Sequence, residues 1–94
     1  MNQLLKKQIM TNEKKENTKQ WVLGILNDDI NDFDYVIHLL ITICKLDPIR
    51  AEKFTLISHH NGRCDVKKGS LDEMQDLRDR LIDAGLGATV ELEE

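Results

Sequence analysis

The sequence predicts an α+β fold, with three helices packed on a three-stranded antiparallel sheet in a β-α-α-β-α-β sandwich behind a flexible N-terminal extension. Two observations carry this. Three short segments read as strands, three longer ones place apolar residues at helical spacing, and the two kinds follow one another in that order. Three short strands also cannot bury both faces of their own sheet, so helices must cover one of them.

Residues 1–19, MNQLLKKQIMTNEKKENTK, are polar, rich in Lys, Asn and Gln, and short of residues that a core would bury. They are expected to form a flexible extension, with the folded domain over residues 20–94. Met1 to Met10 hold enough apolar residues for a turn or two of transient amphipathic helix.

The domain opens with WVLGIL, Trp21 to Leu26, a short apolar run closed by a turn signal, which reads as a buried strand. Asn31 is then placed to cap a helix, with the acid Asp34 three residues later. Phe33, Val36, Ile37, Leu40, Ile41 and Cys44 follow as one apolar stripe ending near Lys45. Asp47 before Pro48 is a cap followed by a first-turn proline, and Ile49, Phe54 and Ile57 lead to an Asn61-Gly62 stop. RCDVKK, Arg63 to Lys68, alternates with Cys64 and Val66 on one side, a strand that Gly69 ends. Ser70-Leu71-Asp72-Glu73 is a capping box, and Leu71, Met74, Leu77 and Leu81 give a third helix that Gly85 stops. Ala88, Val90 and Leu92 alternate with polar residues as the last strand. The expected core is Phe33, Val36, Leu40, Phe54, Ile57, Leu77 and Leu81.

The 94 residues fit one domain, and the part outside the extension makes a small core with no room for a large active-site cavity. No apolar run approaches the roughly 20 residues of a membrane span, and the first residues lack a signal-peptide core, so a cytoplasmic protein is expected. Cys44 and Cys64 are too few for a disulfide framework and too far apart for a zinc ribbon. They read as small, reduced, apolar residues. Net charge is −4, unevenly spread: five Lys against two Glu leave +3 in residues 1–20, so the remainder carries −7. An acidic body speaks against nucleic acid as partner and suits a cationic ligand.

Three polar groups stand out. The acids Asp72, Glu73, Asp76, Asp79 and Asp83 interleave with Arg78 and Arg80, the pattern of a solvated helix face. His59 and His60 are adjacent, so on a helix they point about 100° apart and cannot chelate one metal from one face. Asn27-Asp28-Asp29 stands where the first strand gives way to the first helix, and it reads either as a turn with a helix cap or as a site for a cation. No Gly-rich loop or Ser-based nucleophile accompanies these groups, so neither an enzyme nor a metal or other cofactor is expected.

The string ILNDDINDFDYVIHLL, followed some twenty residues later by HHNGR, resembles the ClpS family, adaptors that deliver N-end-rule substrates to the Clp protease. The matching residues are Asn27, Asp28, Asp29, Asp34, Tyr35, Val36 and Ile37, then His59 and Gly62. The family's fold, three helices on a three-stranded antiparallel sheet, agrees with the order read from the residues. The final LRDRLIDAGLGATVELEE also looks like the end of the ribosomal stalk protein's C-terminal domain, which has a related topology.

What the ClpS resemblance implies is a recognition mechanism. Asn27, Asp28 and His59 would hold the α-amino group of a peptide, and Asp29, Asn31, Phe33, Val36, Thr55, Ser58 and Leu86 would line a pocket for its first side chain. The implied partners are N-terminal peptides of substrate proteins and the N-terminal domain of the Clp protease's AAA+ unfoldase. The adaptor would be monomeric and bind neither nucleic acid nor membrane. The chain departs from the family's pattern at Asn31 and Asp32, where Thr and Pro are usual, at Phe33 for a gating Met, and at Thr55 and Ser58 for Met and Val. A bulkier gate and more polar walls leave a second reading open: a ClpS-like protein-interaction domain with a changed or lost ligand.

Overall fold

The computed structural model describes residues 19–94. The expected extension lies outside these apart from Lys19. β1 (Trp21–Leu26) is the central strand of an antiparallel sheet of order β2-β1-β3, with β2 spanning Arg63–Gly69 and β3 Ala88–Leu92. Between β1 and β2 run α1 (Phe33–Thr42) and α2 (Pro48–Asn61), and between β2 and β3 runs α3 (Leu71–Asp83). This is the predicted β-α-α-β-α-β order.

Local chemistry sets most boundaries. The Asp47 carboxylate accepts from the Arg50 backbone amide at 3.1 Å ahead of Pro48, and Gly62 ends α2 with φ of 91°, in the left-handed region where a side chain is strained. Ser70 Oγ accepts from the Glu73 amide at 3.2 Å and starts α3.

α3 lies across the sheet, α2 packs against β2, and α1 packs on α2. Leu23 and Ile25 of β1 face these helices fully buried, with Cys64 and Val66 from β2 and Ala88 from β3. A register shift between Leu23 and Gly24 puts Lys67 opposite Leu23, and its ammonium donates to the Cys44 carbonyl beyond α1 at 2.8 Å. The other face carries charges: the Arg63 guanidinium meets Asp65 at 3.1 Å and Glu91 at 3.7 Å. It lies so close to β1 that a Cβ at Gly24 would fall 2.6 Å from it.

The core corrects three sequence expectations. Phe33 does not belong to it: the ring is 38% exposed, while Leu39, outside the expected stripe, is buried beside Val36 and Leu40. Seven of the ten residues of α1 are apolar or aromatic, more than one face can bury, so periodicity alone did not fix which flank turns inward. In α2 the buried face is Ala51, Thr55 and Ser58, whereas Ile49 is 79% exposed and Phe54 and Ile57 are only partly buried. Small residues let α2 approach its neighbours closely, which a hydrophobicity pattern does not reveal. In α3, Met74 and Leu81 are buried, and Leu77 packs at the edge. Both cysteines are buried free thiols.

Candidate functional site

The site forms where β1 ends. The Leu26 amide donates to the Gly87 carbonyl at 3.0 Å, and the Asn27 amide to the Gly62 carbonyl at 2.9 Å. The turn that closes α2 and the turn that opens β3 are therefore both tied to the first residues past the strand. Gly62 lies three residues beyond His59 and Gly87 lies next to Leu86, so these two bonds bring both side chains to the triplet.

The segment after the triplet is built around the Asp28 carboxylate. Oδ1 accepts from the amides of Ile30 and Asn31 at 2.9 and 2.8 Å, and Oδ2 accepts from Asn31 Nδ2 at 2.8 Å. Asn31 Nδ2 also donates to the Gly85 carbonyl at 2.9 Å, and Tyr35 Oη to the Ala84 carbonyl at 2.6 Å, so the end of α3 is clamped to the start of α1. The expected cap is thereby corrected. The N-cap of α1 is Asp32, which makes no side-chain cap bond, and Asn31 is a tether instead. An aspartate oxygen reaches amides two and three residues ahead more easily than a helix cap further on, so Asp28 organises a turn before the helix starts.

The side chains enclose a cavity of about 280 Å³. All ten residues expected from the sequence line it: Asn27, Asp28, Asp29 and His59 with Asn31 and Phe33 on the more exposed side, and Val36, Thr55, Ser58 and Leu86 as its buried walls. Leu26 lines it too. In the sequence Leu26 stands out only as the last residue of the strand, although its position directly before the triplet is a usable signal.

Asp28 supplies a durable negative charge. The Asn31 amide holds its carboxyl below the usual carboxylate range, against a smaller upward push from burial, and the Ile30 amide and the Asn31 side chain add to the lowering. The His59 ring meets the Phe33 ring edge-on, centroids 6.3 Å apart, and stands 5.5 Å from the His60 ring, which does not line the cavity. Among the described residues no group of three or more His, Cys, Asp or Glu side chains is arranged to hold a metal. A carboxylate, an amide and an imidazole around one cavity with apolar residues among its walls are chemically fit to hold a small cation that carries an apolar group.

The sequence profile of the ClpS family, the ATP-dependent Clp protease adaptor protein ClpS, matches residues 16–89. The chain belongs to the ClpS family. ClpS of Streptomyces avermitilis is 32% identical over 71 residues, 76% of this chain and 68% of that protein. ClpS of Campylobacter jejuni subsp. doylei is 34% identical over 59 residues, 63% and 62% of the two chains. Both relatives are ATP-dependent Clp protease adapter proteins. The structure of Agrobacterium tumefaciens ClpS2 bound to L-phenylalaninamide superposes with a TM-score of 0.70 at 22% identity, covering 80% of this chain and 98% of that one. The α+β sandwich is thus the ClpS fold, and an adaptor role comes with the family. No described helix is long and apolar enough to cross a membrane.

Proposed function

We propose that this ClpS chain is a non-catalytic adaptor that binds the free α-amino group and first side chain of N-degron substrates and delivers them to the N-terminal domain of the Clp AAA+ unfoldase. The observation that carries the reading is that Asn27, Asp28 and His59 line one cavity with apolar residues behind them. An α-ammonium has three N–H donors and one charge. The Asp28 carboxylate, the Asn27 amide oxygen and a His59 ring nitrogen are three acceptors at the more open side of that cavity, and the first side chain would sit against Val36 and Leu86. The L-phenylalaninamide in the Agrobacterium ClpS2 structure, a free amine bearing an aromatic side chain, is a ligand of this kind.

On this reading the chain works as a monomer in the cytoplasm, without metal or cofactor, and residues 1–19 assist delivery. The runner-up, a ClpS-like interaction domain with a changed ligand, draws on the hydroxyl-bearing walls at Thr55 and Ser58. Titrating a short peptide with a large apolar first residue beside its N-acetylated twin separates the two. Binding of the free peptide alone supports the adaptor; equal binding, or none, rejects it.

A further inference from the structure

The cavity has a hydroxyl that the amine site does not use. Thr55 and Ser58, about one turn apart on α2, are the buried polar residues of the described chain, 3% and 4% exposed, and both line the cavity. Thr55 Oγ1 is engaged, donating to the Ala51 carbonyl at 2.8 Å. No such bond holds Ser58 Oγ among the described residues. Among the described residues the sealed side-chain oxygen without a partner is Thr89 Oγ1, on the sheet, and Ser58 is instead a lining residue of the cavity.

A side chain that filled this space with carbon alone would strip water from Ser58 Oγ and offer it no partner. A small polar side chain would satisfy the hydroxyl but leave most of about 280 Å³ empty between Val36, Leu86 and the Phe33 ring. A ring that carries a hydroxyl meets both demands: its faces pack on the apolar walls, and its O–H can donate to Ser58 Oγ or accept from it. We propose that Ser58 is a specificity-determining residue and that the cavity takes tyrosine as first residue in preference to phenylalanine. This rests on the amine-site reading above. Sites that hydrogen-bond a ligand hydroxyl discriminate strongly against the analogue without it, because their own polar group is then left dry.

The test is a titration of the full chain with two peptides identical except for Tyr or Phe at the first position, each with a free and an acetylated N-terminus. It is repeated on Ser58→Ala and on Ser58→Thr, which keeps the hydroxyl. The Tyr peptide should bind the unaltered chain about tenfold more tightly than the Phe peptide, a ratio that Ser58→Ala brings close to one and Ser58→Thr preserves. Amine-dependent binding in which Phe equals or exceeds Tyr overturns this inference alone, as does a ratio that Ser58→Ala leaves unchanged. Should Ser58→Ala not fold, the ratio on the unaltered chain decides. Absent binding, or binding indifferent to acetylation, overturns the inference together with the reading it rests on.

Discussion

The Asn27 amide donates to the Gly62 carbonyl at 2.9 Å, and this backbone bond joins the end of β1 to the end of α2. It fixes where His59 stands relative to the triplet without any side chain of the site taking part. The positions of the groups proposed to hold the amine and their chemistry are therefore separable, and substitutions should report on them separately.

His59→Ala removes an acceptor while leaving the described turn and cap bonds untouched. It should cost a free-amine peptide about 2 kcal/mol, over tenfold in affinity, with an unchanged melting temperature. Asp28→Ala should lose at least as much and also lower stability, because three hydrogen bonds of the turn end on that carboxylate. Acid tests the carboxylate further. The folded state lowers the Asp28 pKa below its ordinary 3.8, so its charge and the stability tied to it persist above that pH and are lost only as pH falls through the lower folded value. The loss of stability at strongly acid pH seen in thermal melts of the unaltered chain should therefore be smaller in Asp28→Ala.

Gly62→Ala tests the frame. A Cβ there meets nothing within 4 Å, so any cost comes from the left-handed backbone, φ 91°. Urea unfolding should show a loss of about 1–2 kcal/mol. Peptide affinity should drop as well if the strained turn pulls the Gly62 carbonyl away from Asn27.

Burial pushes the Cys44 thiol up to about 11, against smaller opposing effects of Lys67 and Arg80, and burial also raises Cys64. Both thiols should resist a thiol reagent at about pH 8 in the native state and react at once in denaturant. The sign for stability follows from Cys44: the unfolded chain ionises near 9.0 and the folded chain near 11, so stability should be complete below 9 and fall as pH rises toward 11. A Cys44→Ser variant should lose part of that decline.

Among the described residues, those that line the cavity run from Leu26 to Leu86. On the proposed division of labour, deleting residues 1–18 should leave peptide affinity nearly unchanged while impairing delivery of a substrate to the unfoldase. Loss of affinity in the truncated chain would place the tail in the ligand site.

The sequence by itself determined the elements and their order. The Asp47-Pro48 start, the Ser70 cap and the Gly62 stop are hydrogen-bond and backbone preferences that act over a few residues. It also made the site legible, because the triplet and the His59–Gly62 pair stand in the chain as a motif, and every residue inferred from that resemblance lines the cavity. The tertiary structure decided what local pattern leaves undetermined. It put Phe33 beside His59 at the cavity and not in the core, turned Ala51, Thr55 and Ser58 inward on α2, and made Asn31 a tether to Gly85 and not a cap. A helix as rich in apolar residues as α1, or one with small residues on its buried face such as α2, offers little periodic contrast. The inward side is then chosen by shape and by hydrogen-bond partners that arrive from distant parts of the chain.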